Sequence, residues 1–184
     1  MRKNFGVKTY LYPQPVLIVG SYDANGKPNA MNAAWGGIID NDKIIIAMSD
    51  HQTTDNIAVT KAFTVSMADR EHVTACDYVG IVSGRKEPEK MKKAGFTTEK
   101  SEFVNAPVIC ELPLTIECEL AEIVNGEWYV GLIVNVSADE SILGTDGKPD
   151  LGLFHPITFD TVHNQYIAFG DVVGRAFSDG MKLK

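Results

Sequence analysis

Residues 15–39, "PVLIVGSYDANGKPNAMNAAWGGII", decide how this chain folds. The first part, Pro15 to Asp23, is apolar and rich in β-branched residues, as a buried strand requires. Asn25-Gly26 then supplies a dipeptide that tolerates positive φ, and the chain returns through residues 29–39. The spacing predicts an antiparallel hairpin. Its second strand is unusual, because Ala30, Ala33, Ala34, Gly36 and Gly37 leave Met31 and Trp35 as its only large side chains before Ile38. Two explanations fit a strand with so little packing surface: a close crossing of two backbones, or a flat ligand lying against bare main chain.

Working outward, strand signals dominate. "KIIIAMS" (43–49) is an unbroken apolar run, which predicts burial on both faces, and "AFTVSMA" (62–68) predicts a fourth strand. "LPLTIECELAEIV" (112–124) alternates, which predicts that Ile116, Cys118 and Leu120 face the core while Glu117 and Glu119 face water. Asn125-Gly126 turns it into a partner starting at Glu127, and residues 157–169 form a last hairpin turning near His163-Asn164. Three short helices are expected at 53–62, 72–84 and 87–95, the first capped by a hydroxyl residue and the last ending on Gly95. The pattern is mainly β with short helices, a closed or nearly closed antiparallel barrel with a helical annex. A chain of 184 residues with no visible linker suits one domain, residues 1–184.

Composition narrows the function. A net charge of -7 disfavours a nucleic-acid backbone, and the run Lys90, Lys92, Lys93 beside Glu87 and Glu89 reads as a solvated helix face. No apolar run approaches the roughly 20 residues of a spanning helix, so no membrane partner is expected and a cytoplasmic protein is. Cys76, Cys110 and Cys118 have neither paired nor metal-ligand spacing and are expected to be buried packing residues. Phosphate-loop, dinucleotide-fingerprint, nucleophile-elbow and zinc-protease motifs are all absent.

One segment does offer chemistry. "SDHQTTDNI" (49–57) lies where a strand ends and a helix begins, a place where free N–H groups and the helix dipole favour an anion. Ser49, Thr53, Thr54 and Asn56 would add neutral donors for a phosphate; alternatively Thr53 only caps the helix and Asp55 complements its dipole. A planar heteroaromatic carrying a phosphate satisfies both unusual segments, and flavin mononucleotide (FMN) has that shape. Arg85 fits either an anionic ligand or a surface ion pair, and Tyr10, Tyr12 and Phe169 either a pocket rim or the core.

The stretch "YPQPVLIVGSYDANGKPNAMNAAWGGI" (12–38), the Ser49/Thr53/Asp55-Asn56-Ile57 spacing, "AFTVS" (62–66), "DYVGIVSGR" (77–85) and "GRAFSDG" (174–180) resemble the flavin reductase-like family and, within it, flavoredoxin-type proteins. That resemblance implies an FMN-binding split β-barrel, antiparallel and Greek-key-like, assembled as a homodimer. It implies an oxidoreductase taking electrons from NADH or NADPH through FMN to free flavin or a protein acceptor, or else an FMN electron carrier that serves protein partners without nicotinamide. It places Asn29, Ala30, Met31, Asn32, Ala33 and Ala34 at the flavin ring, Ser49, Thr53 and Asn56 at the phosphate, and Ser66 near the ribityl chain or ring, while Trp35 fits equally a core aromatic or a wall covering the ring. Where the family often carries a basic residue, between Ser49 and Thr53, this chain has Asp50-His51-Gln52. The phosphate's charge must therefore be met by His51 or from elsewhere.

Overall fold

The computed structural model describes residues 1–184. The strands are β1 (Gln14–Pro15), β2 (Leu17–Tyr22), β3 (Pro28–Ala33), β4 (Gly36–Asp40), β5 (Lys43–Ala47), β6 (Ala62–Met67), β7 (Thr98–Lys100), β8 (Pro107–Ile109), β9 (Leu114–Val124), β10 (Trp128–Ala138), β11 (Ile157–Asp160) and β12 (Gln165–Ala168). The helices are α1 (Gln52–Thr60), α2 (Val73–Ile81), α3 (Lys90–Ala94) and α4 (Leu151–Phe154). Seven strands form one antiparallel sheet in the order β3-β2-β6-β9-β10-β5-β4. A three-stranded sheet, β1-β11-β12, and the β7-β8 pair lie outside it.

The opening stretch explains why the large sheet curls. β3 and β4 are its two edges, yet only Ala34 and Trp35 separate them in sequence. Ala33 and Gly36 are three Cα steps apart, at most roughly 11 Å, so the edges must come together at this corner and the sheet must curl on itself as a split barrel. Residues 29–39, expected as one strand, are thus two: β3 pairs with β2, and β4 pairs with β5. The small residues serve this corner. A Cβ on Gly36 would stand 2.8 Å from the Ile45 carbonyl oxygen and 2.9 Å from Leu17 Cδ1.

The barrel interior holds Leu17, Val19, Met31, Ile44, Ile46, Phe63, Val65 and Cys118. Outside it, Val16, Ile18 and Ala30 pack against Cys76 and Val79 of α2 and against Met91. β2 is therefore apolar on both faces because each faces a core. β5 is not: its residues alternate between buried and half-buried, so the unbroken "KIII" run does not mean burial on both sides. Glu117 corrects the expectation for β9. It is 2% exposed, and its carboxylate accepts from Ser101 Oγ, Asn135 Nδ2 at 2.7 Å and Ser137 Oγ at 3.0 Å. Three neutral donors replace the water that a charged group needs.

The turn at Asn125-Gly126 has both residues at positive φ, as expected for a two-residue hairpin. At the first hairpin only Gly26 does, and the Asp23 carboxylate accepts from the N–H groups of Asn25 and Lys27 instead. α1 begins one residue early: its cap is His51, whose N–H donates to Thr54 Oγ1 at 3.0 Å, and not a hydroxyl residue. Gly95 does close α3 in the left-handed conformation. Cys76 and Cys118 are buried, whereas Cys110 is exposed. No helix is long and apolar enough to cross a membrane.

Candidate functional site

β3 is an edge strand, so one row of its main-chain donors and acceptors is left without a strand partner. Two adjoining cavities open beside it. The larger, about 320 Å³, is lined by Met31, Asn32, Ala33, Ala34 and Trp35 together with Ser49 and His51. The smaller, about 130 Å³, is lined by Asn29, Met31, Asn32, His51 and Thr53 and closed by residues 79–84. Met31, Asn32 and His51 line both, so the two cavities are immediate neighbours. α2 forms the shared wall because Gly80 lies against Asn32, where a Cβ would approach Asn32 Cβ to 2.9 Å.

Most of the sequence-predicted residues are therefore brought together, but four line neither cavity, among them Thr54, whose hydroxyl is taken up at the start of α1, donating to the His51 carbonyl at 2.8 Å and accepting from its N–H. Ala30 is fully buried against α2. Ser66 is fully buried in β6 and bonded to Thr115 Oγ1 at 2.8 Å. Asn56 donates to Ser21 Oγ at 3.0 Å and borders a third hollow of about 180 Å³, alongside Asn29, Gln52 and Lys90.

The polar end of the site is pre-ordered. Thr53 Oγ1 accepts from Asn29 Nδ2 at 2.8 Å, Gln52 Nε2 donates to Asn56 Oδ1 at 2.8 Å, and Ser49 Oγ lies 3.1 Å from His51 Nε2. The first turn of α1 carries N–H groups that no helical carbonyl can take, and Gln52 and Thr53 of that turn border the smaller cavity.

Two cations approach this end, and they differ. Arg85 pairs with Asp50 at 2.5 Å and Asp55 at 2.7 Å, so it is a surface ion pair whose charge is already neutralised. Lys90 is the residue that the sequence reading missed. It is 4% exposed, lines both the smaller cavity and the third hollow, and has no carboxylate partner. Burial pushes its ammonium down to about 8. The expectation of a solvated lysine face holds for Lys92 and Lys93 and fails for Lys90, because α3 turns that one position toward β3.

The larger cavity also takes in residues without a sequence signal. Ile81 of α2 and Phe159 of β11 extend its apolar wall, and Asp77 and Tyr166 add polar groups. Tyr166 Oη donates to Asp77 Oδ1 at 2.7 Å, and burial, reinforced by that carboxylate, holds its phenol well above the usual range. β12 is distant in sequence, so only the folded chain shows this meeting.

Comparison with known proteins gives the family and the fold. The chain is 37% identical to the flavoredoxin of Desulfovibrio vulgaris (Miyazaki F), covering 98% of this chain and 100% of that one with a TM-score of 0.94. It is 28% identical to the flavoredoxin from Methanosarcina acetivorans, covering 100% of each chain with a TM-score of 0.87. An uncharacterized Aeropyrum pernix protein is 28% identical over 62% of this chain, which spans only 44% of that curated relative's length. The family described as "Flavin reductase like domain" matches residues 9–162, and with the split barrel and the cavity beside its open edge this places the chain in the flavin reductase-like family.

Proposed function

We propose that this chain binds FMN across the two adjoining cavities and passes electrons from a reduced nicotinamide, through that flavin, to free flavin or a protein acceptor. The observation that carries the proposal is the polarity of that space. One end is walled by Ala33, Ala34 and Trp35, and the other reaches the start of α1 and the buried, unpaired Lys90. A flat ring and a phosphate dianion fit those ends.

When bound, FMN would supply the two-electron redox chemistry. The chain's contribution is binding and electrostatics. Thr53 and the free N–H groups of α1 would take phosphate oxygens, Lys90 would neutralise them, and Ser49, on the wall of the larger cavity, would lie nearer the ring end. Main-chain donors of the β3 edge would stabilise negative charge on the ring, acting as fixed dipoles that need no reorganisation. Trp35 and Ile81 would cover the ring and restrict water.

A second reading is favoured by the 37% identity to a protein named flavoredoxin: an FMN carrier that exchanges electrons with protein partners and does not oxidise nicotinamide. Steady-state oxidation of NADH or NADPH by the FMN-loaded protein separates the two. Turnover supports the reductase, and flavin binding without turnover supports the carrier. A homodimer belongs to either reading. Val172, Val173 and Phe177 of the C-terminal segment are 91%, 100% and 105% exposed, apolar side chains that a second copy of the chain would cover.

A further inference from the structure

Asp77 is a carboxylate on the wall of the larger cavity, where it would repel a phosphate rather than hold one. Its Oδ1 is occupied by the Tyr166 hydroxyl at 2.7 Å, and that hydroxyl in turn accepts from Asn32 Nδ2 at 3.4 Å. Asn32 is tied to the Cys76 carbonyl at 3.2 Å, so the group is fixed from β3, α2 and β12 together. No protein donor reaches Asp77 Oδ2. No buried side-chain oxygen in the chain lacks a partner, so this oxygen is solvent-accessible, on a residue that lines the cavity. Lys and Arg are absent from the lining, and Lys90 serves only the smaller cavity and the hollow behind it. Asp77 is therefore the one carboxylate of the larger cavity, among apolar walls made by Trp35, Ile81 and Phe159, with His51 the only basic side chain in the lining.

A carboxylate in that setting accepts N–H groups and repels anions. We infer that Asp77 Oδ2 is the acceptor for the primary carboxamide of a dihydronicotinamide ring, with Tyr166 positioning the carboxylate, so that the cavity selects neutral amide-bearing rings over ring carboxylates. This assignment rests on the FMN and nicotinamide reading above. It adds the residue that recognises the donor and the charge rule that the residue imposes.

The test uses FMN-loaded protein and the unreactive tetrahydro form of NADH, with binding followed by the change in flavin absorbance. Asp77→Asn is expected to weaken this binding about ten- to hundred-fold, the loss of one charge-assisted hydrogen bond. FMN affinity should be retained. Tyr166→Phe, which leaves the carboxylate in place but unanchored, should give a smaller loss. A version of the ligand with carboxylate in place of carboxamide should bind the unsubstituted protein at least about ten-fold more weakly than the amide, and Asp77→Asn should largely erase that difference. Equal amide binding in Asp77→Asn and the unsubstituted protein overturns the assignment. So does a loss of FMN affinity in Asp77→Asn, which would mean that the carboxylate meets an N–H of the flavin itself. If the FMN-loaded protein binds no nicotinamide at all, the assignment falls while FMN binding stands. If FMN does not bind, the underlying reading falls first.

Discussion

Lys90 carries more of the functional argument than any other side chain. A buried ammonium without a counter-ion destabilises the free protein, and an arriving phosphate removes that cost. Replacing it with methionine should therefore weaken FMN binding about ten- to hundred-fold while leaving the melting temperature unchanged or higher. Fluorescence titration and thermal melts check the two halves separately. The ammonium is the form that pairs with phosphate, and burial lowers its pKa to about 8. Below that pH the charge is in place. Above it the free protein must take up a proton to bind, so FMN affinity should fall as pH rises, by up to about ten-fold per unit. Arg85→Gln provides the contrast. Its guanidinium is already shared between Asp50 and Asp55 at the surface, so affinity should change only about two- to three-fold.

The β3–β4 corner places the site, and its glycine can be tested alone. Gly36→Val puts side-chain atoms against the Ile45 carbonyl and Leu17, and it should destabilise the protein by roughly 1–3 kcal/mol through overpacking. Denaturant unfolding measures this, and unaltered stability would show that the corner relaxes freely. The hairpins were legible in the sequence because Asn-Gly turns and local alternation are short-range signals, and the start of α1 was legible to within one residue. The poverty of side chains in residues 29–37 was also legible, although not that it serves both the barrel corner and the cavity. What sequence could not show depends on partners chosen across the fold. The break at Ala34-Trp35 follows from β3 and β4 taking different neighbours. Glu117 is buried because Ser101, Asn135 and Ser137 surround it, and Lys90 is inward because of how α3 docks.

Asp160 is a polar anchor between the N-terminal segment and the small β1-β11-β12 sheet. Its carboxylate is held down to about 2 by the Tyr12 hydroxyl and then by His163 Nδ1, and it ties the N-terminal segment to the β11–β12 hairpin. In the unfolded chain an aspartate titrates near 3.9, roughly. The stabilisation is therefore complete above about pH 4 and is lost as pH falls towards about 2. Asp160→Asn should flatten that acid slope and speed proteolysis of residues 1–13. The exposed apolar C-terminal segment leads to an expectation for assembly. Sedimentation should find a dimer, and removal of residues 170–184 should shift it towards monomer; a monomeric full-length chain would contradict the assembly reading. The most direct measurement of the central claim is titration of the purified, flavin-free protein with FMN, following flavin fluorescence. Saturable quenching at one FMN per chain, weakened by Lys90→Met, is the expected result, and fluorescence unaffected by the protein at any FMN concentration would contradict it.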